Sequence, residues 1–339
     1  MDSSRSTLHE RPAALSLLIT GGTFTHIANN DSALHSHRRY IRESFKGYVA
    51  LDATHDTNGP VGNPRCHPKT RIAILRRLAK WVRNKNISRH ILWVFGPVGV
   101  GKSAIAGTTA DILYKEGQLA ASFFFRLGDP QNLGKLIITT IAFQMAFSIP
   151  ELQPHIAYAV DTNPMIFHQS LETQAEVLIV GPIQSSMPEC TRQWGIIIDG
   201  LDLCKDPDIQ HRILEIVGSI AARLSGKLKF IIFSRPTSHI SSAFNNLPAL
   251  KSDSFCINLM SDLHIVNDIR VFLKDRYEQI KMTPSLLDPS GLGEELIEFL
   301  VAKSYGKFSN ADAFVENNGK RGLFYFLTDL VGFSNPFII

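Results

Sequence analysis

Eight residues constrain this chain more than any others. Gly96-Pro97-Val98-Gly99-Val100-Gly101-Lys102-Ser103 matches G-x-x-x-x-G-K-[ST] at every fixed position. Ile91–Phe95 reads as a short, continuously apolar strand that feeds the loop, and residues 102–114 read as the helix that leaves it. Glycines let the backbone wrap a phosphate chain so that successive N–H groups point inward, and the positive helix end then faces the anion. In that geometry Lys102 reaches the β- and γ-phosphates and the Ser103 hydroxyl ligates Mg²⁺. The octapeptide therefore predicts binding of a purine nucleoside triphosphate with Mg²⁺. A glycine turn that merely precedes a helix would leave the upstream strand and the full match without a reason.

The rest of the chain repeats the same alternation. Apolar strands are expected over residues 120–125, 195–198, 229–233 and 255–259. Helices are expected over 69–85, 133–147 and 209–224, with helical periodicity over 262–280. In the first of these helices Ile72, Leu75, Leu78, Ala79 and Val82 form the apolar stripe, and Arg71, Arg76, Arg77 and Lys80 take the other faces. Continuously apolar strands separated by helices predict a parallel sheet covered on both faces, an α/β three-layer αβα sandwich. No internal repeat of about 20 to 50 residues is present, which argues against a solenoid or propeller. Residues 1–65 have weak periodicity and read as a leader, and 54–65 are turn-rich like a linker.

The sheet brings two further motifs to the loop. In Gly195-Ile196-Ile197-Ile198-Asp199-Gly200-Leu201-Asp202 a buried strand ends in a carboxylate, which suits Asp199 to holding Mg²⁺, usually through water. Taken alone, Asp199-Gly200 would pass for a strand-end turn. The interval between Lys102 and Asp199 leaves room for a sheet in which their two strands are not neighbours. In Phe230-Ile231-Ile232-Phe233-Ser234-Arg235-Pro236 a hydroxyl and a guanidinium reach the same sheet edge. Arg235 either reads the γ-phosphate bidentately or is a surface arginine at a loop start.

Bulk properties exclude several other classes. The chain has 339 residues, 44% hydrophobic and 19% charged, a globular composition with room for more than one domain. A net charge of +4, from 35 Lys+Arg against 31 Asp+Glu, is too mild to argue for nucleic acid or an anionic membrane, and neither is expected as a partner. Cys66, Cys190, Cys204 and Cys256 lie far apart without a C-x-x-C pair, as in a reduced intracellular chain. No run approaches the ~18 apolar residues of a membrane-spanning helix. Residues 13–19 are apolar after Arg5 and Arg11, but Asp2, Glu10 and Thr20-Gly21-Gly22 do not suit a secretory leader, so a cytoplasmic protein is expected.

The order of residues 96–103, 196–202 and 230–236 resembles a NACHT domain of the STAND class of P-loop NTPases. It is nearest to the nephrocystin-3-type N-terminal domains that abound in mushroom-forming fungi. Cys66-His67-Pro68, Ala121-Ser122-Phe123-Phe124-Phe125, Gly128-Asp129-Pro130 and Asp268-Ile269-Arg270 agree with that pattern, so the resemblance covers roughly residues 66 to 305. It implies a sheet of the ASCE type in a nucleotide-binding domain over 66–260, and a helical lid over 261–339. It also implies signalling by ADP/ATP exchange and oligomerisation, with self-association or partner proteins. Two departures stand out. The family usually carries a Glu directly after the second acidic residue, whereas Asp202 is followed here by Leu203. After Lys303-Ser304-Tyr305-Gly306 the family pattern continues as an apolar helix, whereas this chain reads Lys307-Phe308-Ser309-Asn310-Ala311-Asp312 and ends in an unmatched tail without sensing repeats, as if truncated or divergent.

These features predict a switch NTPase with a possible slow nucleoside-triphosphatase activity, in which Asp202 and Arg235 are the candidate catalytic residues. A module that binds nucleotide without turnover is the alternative that Leu203 favours, and a small-molecule P-loop kinase is the third. ATP is favoured over GTP because no Asn-Lys-x-Asp guanine-reading motif follows Asp199. His35 and His37 lack acidic or cysteine partners at ligand spacing and read as solvated. The basic run 38–46 reads as a solvated helix face with Tyr40, Ile41 and Phe45 on its apolar side, and the apolar stretch 324–327 as a segment that docks on the lid or stays exposed.

Overall fold

A computed structural model describes residues 19–20, 23–24, 30–56, 62–130, 132–186, 192–224, 226–281 and 292–316 of the chain. A two-residue antiparallel ladder, β1 (Ile19–Thr20) with β2 (Thr23–Phe24), precedes helix α1 (Asn30–Ser44). There follow α2 (Ile72–Arg83), β3 (Ile91–Phe95), α3 (Lys102–Lys115), β4 (Leu119–Phe124), α4 (Ile137–Ser148) and α5 (Gln153–Thr162). A π-helical turn, Glu176–Val180, joins α6 (Leu171–Ala175) to α7 (Gly181–Ser186). Next come β5 (Trp194–Asp199), α8 (Pro207–Arg223), β6 (Leu228–Ser234), α9 (Ser238–Asn246), α10 (Pro248–Asp253) and β7 (Ser254–Asn258). Three helices close the described chain: α11 (Ile265–Lys281), α12 (Leu292–Ser304) and α13 (Phe308–Glu316).

The strand order is β4-β5-β6-β3-β7, and every ladder is parallel. β6 thus separates β3 from β5, the arrangement expected of an ASCE-type P-loop NTPase. Side chains alternate across each strand, so one sequence feeds two cores. Ile91, Trp93, Ile196, Ile198, Phe230 and Ile232 pack into the layer of α1, α4, α5 and α8. Leu92, Val94, Ile197, Ile231 and Phe233 pack into the layer of α2 and α3. Residues of the closing helices, among them Ile269, Phe272, Leu300 and Ala311, belong to that second core, so these helices, expected as a lid, are continuous with the α2–α3 side. Register then aligns the functional ends: Phe95 faces Ser234, and Asp199 faces Phe233. Loops after β3, β5 and β6 therefore converge at the carboxyl edge of the sheet, where open α/β sheets hold ligands.

Most elements lie within a residue or two of their expected bounds. α8 starts where Asp206 caps it, its carboxylate accepting from the Asp208 and Ile209 amides with Pro207 in the first turn. Three expectations need correction. The helix expected over 133–147 is divided into a 3₁₀ turn, Leu133–Leu136, and α4. Ile72 is exposed, while Ile74 and Trp81 hold buried positions on α2. Arg71 is buried rather than solvent-facing: it sits just ahead of α2 with φ 58°, so its side chain leaves the helical stripe and turns inward. The basic run 38–46 does belong to a helical segment, with Ile41 of α1 and Phe45 just after it buried while Tyr40 is left exposed; the Phe45 ring meets Phe167 edge-on at 4.9 Å.

Among the described residues Cys66, Cys204 and Cys256 are free thiols, and no group of three or more His, Cys, Asp or Glu side chains converges on a common point. Nor, among those residues, is any single helix long and apolar enough to cross a membrane. Cys190, the apolar residues 13–18 and the stretch 324–327 lie outside the described residues.

Candidate functional site

Helix α3 begins at Lys102 directly from the glycine loop, and no side chain caps it. Its first turn, Lys102, Ser103 and Ala104, lines the cleft, and the amides of an uncapped helix start are the kind of donors that suit an anion. Val98, Gly99, Gly101, Lys102 and Ser103 line a cleft of about 870 Å³. Lys102 Nζ lies back against the loop, donating to the carbonyls of Gly96 and Pro97 at 2.8 Å each. Burial lowers its pKa, and the nearby Asp202 and Asp199 carboxylates oppose that shift. Val100 is fully buried, so its side chain anchors the loop instead of meeting a ligand.

Asp199 ends β5 beneath this loop. Its side chain is buried, and Oδ1 has no hydrogen-bond partner among the described residues. Burial pushes its carboxyl up to about 7, against the opposing pull of the Ser103 hydroxyl and Lys102. A buried carboxylate oxygen without a partner, beside a serine hydroxyl and a phosphate loop, fits a hard divalent cation held by two protein oxygens and otherwise by water and phosphate. The next residue, Gly200, turns the chain at φ 69°; a Cβ there would run into the Phe125 carbonyl at 2.6 Å. The Asp-Gly pair is thus both a strand-end turn and a carboxylate aimed at the loop.

Asp202 and Arg235 form one unit. The Asp202 carboxylate accepts from the Arg235 amide at 2.8 Å and from its Nε at 2.5 Å. Asp202 is almost fully buried, whereas the Arg235 side chain is 42% exposed, so its outer nitrogens remain at the cleft wall. Both readings of Arg235 miss this pairing, which commits one face of the guanidinium before any ligand arrives. The Ser234 hydroxyl, expected at the phosphate edge, is instead buried and accepts from the Trp93 indole at 2.8 Å. Leu203, where a second carboxylate was expected from the family pattern, lines the cleft beside Asp202.

The remaining walls come from segments far away in sequence. Cys66 and His67 stand on one side, and burial raises the Cys66 thiol pKa. Phe272, Arg276, Phe308 and Asp312 of the closing helices continue that wall, the Phe272 ring meeting His67 edge-on at 5.3 Å and Arg276 Nη2 donating to Asp312 at 3.1 Å. The lid also touches the loop itself: the Ser309 amide donates to the Gly99 carbonyl at 3.2 Å. Gly99 has φ +83°, and a Cβ there would collide with the Ser309 side chain. The residues after Gly306, expected to leave the family pattern, therefore continue as α13 against the phosphate loop. Ser309, Arg276, Asp312 and Arg71 carried no signal as site residues. Cys66-His67-Pro68 did, as part of the resemblance.

Residues 73–235 match the family model described as Nephrocystin 3, N-terminal. That span starts in α2 and ends at Arg235, so it contains the glycine loop, Asp199, Asp202 and the Arg235 pairing. No curated protein matches the chain. Solved structures with a similar fold include a DNA replication initiation factor, at 11% identity over 82% of this chain and 68% of that one, with a TM-score of 0.42. The Aeropyrum pernix ORC1 protein in complex with DNA is similar at 17% identity over 77% and 63%, with a TM-score of 0.44. AMPPCP-bound DnaA from Aquifex aeolicus is similar at 11% identity over 76% and 63%, with a TM-score of 0.38. The chain spans less than two thirds of the length of the last two. Similarity at that level says nothing of what this chain binds.

Proposed function

With residues 73–235 taken as a nephrocystin 3 N-terminal-type P-loop module, we propose that the chain binds ATP with Mg²⁺ and acts as a nucleotide-controlled switch of the NACHT and STAND kind. One observation supports this reading most: the lid reaches the phosphate loop, through Ser309 on Gly99, at the point where a γ-phosphate would be felt. A nucleotide that reshapes the loop then biases the lid, and the lid sets self-association or docking of partner proteins. Bound at Ser103 and Asp199, Mg²⁺ would draw charge from the β- and γ-phosphate oxygens. Lys102 would leave the Gly96 and Pro97 carbonyls for the same phosphates, and the α3 amides would hold the chain of anions.

Hydrolysis is proposed to be slow. Asp202 is the candidate water-orienting carboxylate, yet it is held by the Arg235 amide and Nε, and Leu203 offers no second acceptor. Arg235 is free at its outer nitrogens to meet a γ-phosphate, which would loosen the Asp202 pair. The same clamp favours the second reading, a module that binds nucleotide without turnover. Identification of the nucleotide that co-purifies with the full chain, followed by phosphate release under excess ATP and Mg²⁺, tests both. Retained ATP without release supports the second reading, slow release to a retained ADP supports the first, and no retained or rebinding nucleotide refutes the two together.

A further inference from the structure

Arg71 is the most deeply buried arginine lining the cleft, and neither phosphate nor metal chemistry accounts for it. Its side chain is 2% exposed. Nη2 donates to the Val100 carbonyl at 2.7 Å, and Nη1 donates to Asp262 Oδ2 at 2.9 Å. The guanidinium lies 5.0 Å from the centre of the Phe308 ring, a cation–π contact. Its backbone takes φ 58°, a region rare for a residue with a side chain, and its N–H donates to the buried Asp268 carboxylate. These partners belong to three separate pieces: the glycine loop, the turn and first helix after β7, and α13.

The adjacent carbonyl of the loop carries a second link to the lid, from the Ser309 amide to Gly99. Two consecutive carbonyls of the phosphate loop, Gly99 and Val100, are thus tied to the lid, one directly and one through Arg71. A buried arginine paired with a single carboxylate is held by geometry, because any shift leaves charge and polar groups without partners. The planar fork fixes two acceptors at once, which a flexible ammonium does not.

We infer that Arg71 is a positioning residue that couples the phosphate loop to the helical lid, so that the lid responds to whether the loop holds a triphosphate or a diphosphate. The inference rests on the proposed switch. Arg71 transmits the state of the loop and takes no part in chemistry. Phosphate-driven movement of the Val100 carbonyl is passed through the guanidinium to Asp262 and to the Phe308 ring.

Hydrogen exchange of α11 and α13 amides in the full chain, with Mg²⁺ plus a non-hydrolysable ATP analogue or ADP, provides the test. It is applied to the native protein, Arg71→Lys and Asp262→Asn. Native lid protection should differ between the two nucleotides by on the order of tenfold, a common strength of coupling. In both variants that ratio should fall to about twofold or less, while each nucleotide still binds and protection of the sheet strands is unchanged. A purely packing role would loosen the lid equally with both nucleotides and leave the ratio intact. Folded variants that keep the native ratio overturn the role of Arg71 and leave the switch standing. A native protein that binds both nucleotides with the same lid protection overturns the switch, and the inference with it. Should Arg71→Lys fail to fold, Asp262→Asn alone decides, since it keeps the shape of the partner and removes only its charge.

Discussion

Asp199→Asn isolates the most unusual electrostatic feature of the site. Burial holds the Asp199 carboxyl at about 7, whereas an unfolded aspartate titrates near 3.9. Between those values the folded chain keeps a proton that the unfolded chain has lost. Stability contributed by this group therefore falls as pH rises from about 4 to about 7 and is level above that. Three pKa units at 1.36 kcal/mol each give a loss of about 4 kcal/mol, an upper figure that water entry and relaxation around a buried charge reduce. An asparagine fits the same space and does not titrate.

Urea unfolding of the nucleotide-free native protein and of the variant, from about pH 4.5 to about pH 8, measures the effect. Other titrating groups affect both proteins alike, so the difference between the two curves reports residue 199. The variant should gain stability relative to the native chain by about 2–4 kcal/mol across that range. A difference that stays flat within about 0.5 kcal/mol would show that Asp199 is ionised and solvated in the folded state, and would remove the unpartnered carboxylate from the argument. Proton release also governs the proposed metal. Mg²⁺ affinity of the native chain should fall about tenfold per pH unit below about 7, and the variant should show no such slope.

Further outcomes follow from the neighbouring residues. Lys102→Ala should abolish tight triphosphate binding, measured by titration with a fluorescent ATP analogue in Mg²⁺ buffer; unchanged affinity refutes the loop assignment. Leu203→Glu should raise steady-state phosphate release, since a positioned acid–base group is typically worth ~10²–10⁴-fold, although an unadapted shell would give less; a mutant that binds ATP and stays inert favours the binding module. Gly99→Ala should displace α13, because the residue is left-handed and its new Cβ meets Ser309. The cost should be about 1–3 kcal/mol, with faster proteolysis at the lid. Adding Ser309→Gly should restore lid protection in part; no rescue would mean that the contact does not hold the lid.

Legibility in the sequence followed the range of the interactions. β3, β5 and β6 could be found because strands buried on both faces read as continuous apolar runs, and the glycine loop because its geometry is set by eight consecutive residues. Arg71 could not, since its partners Val100, Asp262 and Phe308 are distant in the chain and helical periodicity reports only which face a side chain would take within a helix. Ser234 misled for a similar reason: a hydroxyl at a strand end looks available until the cross-strand neighbour, the Trp93 indole, is seen to use it. The pairing of Asp202 with Arg235 is likewise a property of two strand ends meeting across the sheet, not of either motif alone.

These contacts define what binding must do. Lys102 already has two carbonyl acceptors, Arg235 already has Asp202, and Ser309 already holds Gly99. Phosphate groups entering the cleft compete for cations that have protein partners, so binding exchanges contacts instead of filling a void. The exchange is unequal across the site. Lys102 would exchange neutral carbonyls for phosphate oxygens, a gain because both partners are then charged. Arg235, meeting a γ-phosphate with its outer nitrogens, would loosen its Nε bond to Asp202, nearly an even trade, and Asp202 would keep only the Arg235 amide. On the proposed reading a diphosphate would make only the first exchange, whereas a triphosphate would also contest the second. The discrimination proposed for the switch therefore resides in the Asp202–Arg235 pair. Arg235→Lys, which keeps the charge and loses the Nε bond, should narrow the ratio of ADP to ATP affinity without abolishing either. Parallel titrations of both nucleotides measure this, and an unchanged ratio would move the discrimination elsewhere in the cleft.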